Sequence, residues 1–196
     1  MFNGPSDELT RTSICQPALY VHGLACLELL KQQVPDLEIA GVAGLSLGEF
    51  TAHAAAETFD FSTGLELVAQ RGSFMEEATN ATEGSMAAMI GGDDEKVKDL
   101  AEACGIDVAN YNAPGQVVVS GSKEGVAKAL NLASDYGIRI FKELDVAGAY
   151  HSQLMMPAQE KLAGVLALTK LNPPSLPVTS NVEGQLVSES DEIKRT

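Results

Sequence analysis

The stretch that decides the fold is Ile39–Phe59, IAGVAGLSLGEFTAHAAAETF. It opens on a short apolar run, Ile39–Ala43, which has the length of a buried parallel strand. Gly44 follows at once, and the alanine-rich segment after it favours a helix. The pattern therefore predicts a strand, a tight turn and a helix, with Ser46 at the turn.

Ser46 is the central residue of a GxSxG motif that runs from Gly44 to Gly48. A turn of this kind is so sharp that a side chain two residues away would collide with it, which accounts for the glycines. The strained backbone holds the serine hydroxyl outward, at a helix N-terminus whose free N–H groups can stabilise an oxyanion. GxSxG alone often marks an ordinary turn, but its position between a strand and a helix favours a nucleophile.

A nucleophilic serine needs a base, and the chain has three histidines. His53 lies seven residues after Ser46, which is roughly 10 Å along a helix axis and too far for a hydrogen bond. We expect His53 to be a surface or packing residue, and His22 to be a core or interface residue of an apolar helix. His151 follows Gly-Ala-Tyr in a loop between a predicted strand and helix, where catalytic groups tend to lie. Position therefore favours His151.

Arg71 interrupts an otherwise apolar helical pattern and is followed by glycine. It is either a solvent-facing arginine or a guanidinium that holds a substrate carboxylate through two parallel hydrogen bonds. Glu143 and Asp145 lie just upstream of His151 and could orient its ring, although their place at a strand end favours solvated carboxylates. A carboxylate is not obligatory, because a carbonyl oxygen can also orient an imidazole.

The segments around the turn predict further helices and a strand. The density of apolar residues over Gln16–Gln33 predicts a mostly buried helix. A second helix is predicted from near Ser62 to about Ala78, with Thr63 and Glu66 spaced as a capping box. A third is predicted from the residues after His151 to about Leu168, followed by a strand over Val178–Val182.

The stretch from Gly84 to Leu144 predicts the order βαββαβ, which is the signature of a ferredoxin-like unit. We interpret it as a subdomain inserted into an α/β body. The predicted domains are a discontinuous core, residues 1–80 and 145–196, and the small subdomain, residues 81–144.

Composition bounds the class of protein. Apolar residues make up 45% of the 196 residues and charged residues 20%, as in an ordinary soluble globular protein. No run of the roughly 18 consecutive apolar residues of a membrane span is present, and the N-terminus lacks the pattern of a secretory signal. A net charge of −14 disfavours nucleic acid and anionic membranes as partners. Three irregularly spaced cysteines, Cys15, Cys26 and Cys104, favour free thiols in a reducing cytosol over a metal site.

Several motifs, taken in order, resemble the malonyl-CoA:acyl carrier protein transacylases. They are QPALY near the N-terminus, GLSLGE with Ser46, LVAQRG with Arg71, GSMAAMIG, NYNAPGQVVVSG, AYHSQLM with His151, and PVTSNV. The resemblance covers essentially the whole chain. With the element order, it predicts an α/β fold: a hydrolase-like core with a short parallel sheet and an inserted ferredoxin-like subdomain.

The resemblance implies a role for each candidate residue. Ser46 would attack the malonyl thioester, His151 would act as general base and acid, Arg71 would pair with the malonyl carboxylate, and the Leu47 N–H would donate to the oxyanion. It further implies malonyl-CoA and acyl carrier protein as partners, no cofactor, no metal, a cytoplasmic location and a role in fatty acid biosynthesis. A serine ester that divides the transfer into two half-reactions predicts ping-pong kinetics.

The chain departs from the family pattern in four places. The family's N-terminal GQGSQ segment is absent, and so is the later glutamine that orients the histidine. We therefore expect a chain truncated at both ends, with an incomplete oxyanion hole. Leu45 stands where the family usually has histidine, and Tyr150 where malonyl-selective members usually have phenylalanine; both changes bear on substrate preference.

Three alternatives remain open. A serine hydrolase of the α/β-hydrolase kind also uses GxSxG, but the βαββαβ insert between Ser46 and His151 and the position of Arg71 argue against it. An acyltransferase domain of polyketide synthesis would share the same motifs. A catalytically incomplete fragment that only docks a carrier protein would explain the missing segments.

Overall fold

A computed structural model describes residues 1–195, and they form a mixed α/β fold. The helices are α1 (Ser6–Leu9), α2 (Thr12–Gln33), α3 (Leu47–Ala55), α4 (Phe61–Asn80), α5 (Asp94–Cys104), α6 (Lys123–Leu132), α7 (Met156–Leu168) and α8 (Ser190–Arg195). The strands are β1 (Val42–Ala43), β2 (Gly84–Ile90), β3 (Asp107–Ala113), β4 (Gln116–Ser122), β5 (Ile140–Glu143), β6 (Val178–Thr179) and β7 (Leu186–Val187).

The chain divides into two compact units. The first contains Met1–Ser73 and the segment from Lys161 onward, and the second contains Phe74–Glu160. The domain bounds expected from the sequence, 1–80 with 145–196 and 81–144, stay a prediction.

The second unit contains the four-stranded sheet of a ferredoxin-like subdomain, as the sequence predicts. Its strand order is β3-β4-β2-β5, and every neighbouring pair is antiparallel. Helices α5 and α6 pack on the sheet through a core of small and branched residues: Ala87, Met89, Val97, Leu100, Val117, Val119, Val126 and Ala129. Asp93 caps the start of helix α5, where its carboxylate accepts the Glu95 N–H at 3.0 Å, and Gly105 caps its end with a positive φ of 66°.

The first unit contains a three-stranded sheet of order β1-β6-β7. Strand β1 pairs in parallel with β6, with Val42 opposite Val178, which confirms the predicted parallel strand. The strand is shorter than the predicted Ile39–Ala43, and it is not buried, since Ala43 is exposed. The reason is that β1 lies at the edge of this sheet, where one side has no neighbouring strand within residues 1–195.

Strand β6 ends at Thr179 instead of the predicted Val182 because the chain turns there. The buried Ser180 makes this turn: its Oγ accepts the N–H groups of Val182 and Glu183, both at 3.2 Å. The turn leads into β7, which the sequence analysis did not predict.

Helix α2 differs most from expectation. The sequence predicts a mostly buried helix, but Gln16 and Tyr20 are its buried residues, and Leu19, Leu29 and Leu30 are about half exposed. The prediction rested on the density of apolar residues, and these are spread around the whole circumference of the helix. By length and composition alone α2 could cross a membrane, a test that core helices of soluble proteins and signal sequences also pass.

Helix α4 begins one turn from the predicted cap. The side chain of Asp60 accepts the Thr63 N–H at 2.7 Å, so Asp60, and not Thr63, supplies the capping oxygen. The bonds from Thr63 lower the pKa of the Asp60 carboxyl. The predicted capping box of Thr63 and Glu66 is therefore wrong. In that box Glu66 would accept the Thr63 N–H, but this N–H donates to Asp60 instead.

The two histidines set aside in the sequence occupy different surroundings. His53 is buried, its ring lies 6.3 Å from that of Phe59, and its Nδ1 is 3.1 Å from the Thr58 hydroxyl. Burial lowers the pKa of His53 to about 4. His22 is exposed on α2 and contacts Phe2 and Cys26. The core position is therefore wrong, because α2 itself is largely exposed, and the interface position stays a prediction.

The buried His53 predicts a loss of stability in mild acid. A histidine with pKa 6.5 when unfolded and about 4 when folded binds a proton more readily in the unfolded state. The free energy of unfolding should therefore fall as the pH drops from 6.5 towards 4, by roughly 2–3 kcal/mol, with no further loss from this group below pH 4. Urea unfolding of wild type and His53→Gln at several pH values measures it. The difference between their curves should have this shape, and identical curves would contradict the prediction.

Candidate active site

Ser46 lies in a strained backbone turn between β1 and α3. Its φ is 52° and its ψ is −110°, a conformation that L-residues rarely adopt. A Cβ on Gly44 would lie 2.0 Å from the carbonyl carbon and oxygen of Gly48, so residue 44 must be glycine. The same argument was expected to hold for Gly48, but a Cβ there would meet no atom within 4 Å. The close packing of the turn therefore requires glycine before the serine, at residue 44, but not after it, at residue 48.

The first N–H groups of helix α3 differ in whether they have acceptors. The Gly48 N–H donates to the Leu45 carbonyl at 2.8 Å, and the Glu49 N–H donates to the Ser46 carbonyl at 3.2 Å. Within residues 1–195 the Leu47 N–H has no acceptor in the structure. An N–H at this position of a helix can face an anion, and its role as oxyanion donor stays a prediction.

Arg71 lies beside the serine and is not the solvent-facing residue of the simpler interpretation. Its Nη2 donates to Ser46 Oγ at 2.9 Å, and its Nη1 donates to Gln16 Oε1. Its guanidinium lies over the Phe50 ring, 5.7 Å from the centroid. Burial lowers the pKa of Arg71 to about 10, and the nearby Glu49 opposes this shift. Arg71 is therefore charged at neutral pH, and it lies beside the predicted nucleophile Ser46.

Gln16 fixes the other side of the guanidinium. It is a buried residue of α2 whose amide nitrogen donates to Thr12 Oγ1 at 2.8 Å, which leaves the amide oxygen directed at Arg71. Helices α2 and α4 approach closely at this point, since a Cβ on Gly72 would lie 2.8 Å from the Thr12 carbonyl oxygen. The glycine that follows Arg71 therefore allows the close contact that brings Gln16 and Arg71 together.

Asn181 and Glu49 complete the surroundings of Ser46. The Asn181 side-chain oxygen accepts the Ser46 N–H at 2.7 Å, and the Asn181 N–H donates to Glu49 Oε1 at 3.0 Å. Burial raises the pKa of Glu49, and the Asn181 N–H and the Arg71 charge oppose this effect.

His151 belongs to the second unit, in the loop between β5 and α7, and its side chain is exposed. Its φ is 57°. The neighbouring Ser152 holds the loop, because its Oγ donates to the Ala149 carbonyl at 2.7 Å and accepts the Leu154 N–H at 3.3 Å. Ala149 is fully buried, and a Cβ on Gly84 would lie 2.5 Å from its side chain. The left-handed backbone at His151 is therefore fixed by close packing immediately before it.

The two acidic residues considered as partners of His151 have other surroundings. Glu143 Oε1 accepts the Ser85 hydroxyl at 2.6 Å, and Asp145 is exposed. Asp145 fits the interpretation as a solvated carboxylate, whereas Glu143 is bonded to Ser85.

Backbone strain coincides with the predicted catalytic residues. Among residues 1–195, the non-glycine residues with positive φ are Ser46, Glu57 and His151. Glu57 follows the last turn of α3, where a left-handed residue is an ordinary way to end a helix. The other two are the predicted nucleophile and base, and strain of order 1–3 kcal/mol persists where the surrounding structure holds a functional residue in place.

Sequence reasoning missed the supporting residues Gln16, Glu49 and Asn181. Each stands inside a motif that carried the resemblance, but none was given a role. Gln16 could have been noticed as a polar residue one helical turn before the buried Tyr20 in an apolar helix. For Asn181 the sequence holds no such signal, because its contact with Ser46 joins residues 135 positions apart.

The described residues contain no group of three or more His, Cys, Asp or Glu side chains that could hold a metal ion. A cavity of about 610 Å³ lies in the second unit, lined by residues that include Gly91, Lys96 and Arg139, and none of the predicted site residues lines it.

Comparison with known proteins defines the class. Residues 1–194 match the family model of the acyl transferase domain. A strained serine after a strand, at the start of a helix, is the arrangement that holds a serine hydroxyl outward in GxSxG turns.

The similar proteins narrow the class further. The chain is 40% identical over 201 residues to the malonyl CoA-acyl carrier protein transacylase of Bacillus subtilis, and it covers 62% of that protein. The Escherichia coli protein of the same name is 38% identical over 195 residues, with 63% covered. The solved structure from Coxiella burnetii has a TM-score of 0.93 at 32% identity, with 98% of this chain and 62% of that chain covered.

The chain therefore belongs to the acyl transferase domain family, in its malonyl-CoA:acyl carrier protein transacylase branch. It spans about 62% of the length of these curated relatives.

The one-sided steric constraint at the turn predicts different outcomes for its two glycines. Gly44→Ala places a Cβ against the Gly48 backbone and should lower the free energy of unfolding by roughly 2 kcal/mol or more. Gly48→Ala meets open space in a helix, where alanine is favoured by up to about 1 kcal/mol, and should be neutral or stabilising. Urea unfolding of both variants measures the difference, and equal destabilisation would contradict it.

Proposed function

We propose that this protein transfers a malonyl group from malonyl-CoA to the phosphopantetheine thiol of an acyl carrier protein, through an ester on Ser46, in fatty acid biosynthesis. The single observation that carries the proposal is the 2.9 Å hydrogen bond from Arg71 to Ser46 Oγ. A fixed cation at the nucleophile suits an acyl group that carries its own carboxylate.

Each step assigns one residue a chemical task. Ser46 Oγ attacks the thioester carbonyl carbon, and its proton passes to His151 as the C–O bond forms. The oxyanion accepts the Leu47 N–H, then collapses and expels the CoA sulfur, which takes the proton from His151. The carrier-protein thiol repeats the sequence in reverse, so the ester breaks and the thioester re-forms without a net change in proton count.

Arg71 determines which acyl groups are accepted. A malonyl carboxylate lies two carbons from the carbonyl that Ser46 attacks, close enough for the guanidinium that contacts Ser46 Oγ. The stacking on Phe50 and the bond to Gln16 orient the guanidinium before substrate arrives. An acetyl group would leave this charge unpaired in a half-buried site, which costs binding energy.

Polyketide biosynthesis is the second candidate setting for the same chemistry. A relative named as a polyketide biosynthesis malonyl CoA-acyl carrier protein transacylase, PksC of Bacillus subtilis, is 42% identical over 185 residues. A similar solved structure, at 34% identity, is described as a malonyl-transacylase in complex with a type II polyketide acyl carrier protein. The two settings differ in the carrier protein, and malonyl transfer rates to one carrier of each kind distinguish them.

We place the reaction in the cytoplasm, with α2 packed in the protein. The three cysteines are unpaired, as suits a reducing compartment. Helix α2 carries Gln16, which holds Arg71, and Thr12, which lies against Gly72. Through these two contacts α2 packs against other residues of the first unit, which supports its interpretation as part of the folded protein.

The central prediction is a malonyl adduct on Ser46. Because the chain spans about 62% of its relatives, we would test it alone and in a chimera in which it replaces the matched region of the Bacillus subtilis protein. After incubation with malonyl-CoA, intact mass spectrometry should show one malonyl group on the chimera and none on Ser46→Ala. Ser73→Ala, an exposed serine of the same unit, is the matched control and should load normally.

Two results would reject the proposal: a chimera that gains no adduct, or an adduct that persists in Ser46→Ala. An adduct on the chimera but not on the chain alone would assign the chemistry to these residues and show that they need the rest of the family fold.

Arg71 should determine acyl selectivity. Arg71→Ala removes a charge-assisted pair with the malonyl carboxylate, so kcat/KM for malonyl-CoA should fall about 10- to 100-fold relative to acetyl-CoA. Arg139→Ala, an exposed arginine of the second unit, is the control. An unchanged malonyl-to-acetyl ratio in Arg71→Ala would remove Arg71 from the substrate site.

A further inference from the structure

Residues Ser46 to Glu49 have the sequence of a helix capping box, Ser-x-x-Glu. In a capping box the serine hydroxyl accepts the N–H of the residue three positions on, and the glutamate side chain reaches back to the serine N–H. Such a pairing would hold the Ser46 hydroxyl against the helix backbone. A hydroxyl held in this way is poorly placed to attack a substrate.

The structure shows this box open. The Ser46 side chain makes no capping hydrogen bond, and its Oγ accepts Arg71 Nη2 at 2.9 Å instead. Asn181 lies between the two halves of the box. Its side-chain oxygen accepts the Ser46 N–H at 2.7 Å, and its own N–H donates to the Glu49 carboxylate at 3.0 Å.

We propose that Asn181 is a positioning residue that keeps the capping box open and so presents the Ser46 hydroxyl to the substrate. By accepting the Ser46 N–H, Asn181 satisfies the group to which Glu49 would otherwise return. By donating to Glu49, it holds that carboxylate away from the helix start. The hydroxyl, released from capping, stays on the side of Arg71.

The position of Asn181 is fixed by the turn that ends β6. The preceding Ser180 is 1% exposed, and its Oγ accepts the N–H groups of Val182 and Glu183. The Ser180 N–H donates to the Gln185 carbonyl, and the Ser180 carbonyl accepts the Gly184 N–H. Asn181 therefore reaches Ser46 from a turn that is held by several hydrogen bonds, as suits a positioning residue.

Asn181→Ala isolates one half of this arrangement. The substitution removes the acceptor for the Ser46 N–H but keeps the backbone N–H that Glu49 uses. Glu49 should then turn to Ser46 and close the box. We expect Ser46 to react about tenfold more slowly with a fluorophosphonate probe, the factor that corresponds to one capping interaction. Labelling of the whole chain, followed by intact mass over time, measures the rate.

A double substitution separates positioning from general damage. Removing the Glu49 side chain as well leaves nothing to close the box, so Asn181→Ala with Glu49→Ala should react faster than Asn181→Ala alone. Lost stability alone would make the double variant slower than either single one. Val182→Ala, the exposed next residue, is the matched control and should react at the wild-type rate.

The proposal rests on the proposed function for its substrate, and the two fail in different ways. A chimera whose Ser46 reacts with the probe but never with malonyl-CoA would contradict the malonyl function alone. Asn181→Ala that labels at the wild-type rate, a double variant slower than Asn181→Ala, or wild type that does not label at Ser46 would each overturn the positioning role.

Discussion

The strained backbone of Ser46 is the constraint on which the first unit depends. A φ of 52° with a ψ of −110° costs energy of order 1–3 kcal/mol and persists only where the surroundings impose it. Gly44 permits the close approach of strand and helix, and Asn181 accepts the serine N–H. Beneath the turn, Leu47 packs with Tyr20 and Val68. Residues from four separate segments thus hold the backbone of Ser46 in this conformation.

The electrostatics of the site follow from the same turn. Arg71 and Glu49 are removed from water together, and burial shifts the pKa of each towards its neutral form. Each opposes the shift of the other, and Asn181 and Gln16 supply further hydrogen bonds. A buried charge is tolerated only when its hydrogen bonds are satisfied. The polar network therefore keeps Arg71 charged beside the hydroxyl, where a substrate anion would need it.

The sequence predicted those features that local pattern determines. The strand, turn and helix around Ser46 follow from glycines and apolar runs, and the ferredoxin-like order follows from regular alternation of strand and helix signals. Arg71 was left with two interpretations, because one sequence does not show what lies opposite a helix face. The predicted burial of α2 was wrong for a related reason. A high density of apolar residues does not determine how many sides of a helix other residues cover.

The residues that sequence reasoning missed share one property, which is that their roles arise from contacts between distant segments. Asn181 meets Ser46 only because β6 pairs in parallel with β1, which sets the turn after β6 beside the turn after β1. The carboxyl ends of adjacent parallel strands meet at one edge of a sheet, where functional groups collect. The pairing of two-residue strands, too short to be predicted from periodicity, thus determines which side chain bonds to Ser46. A local motif identifies the serine, and the sheet topology brings Asn181 to its N–H.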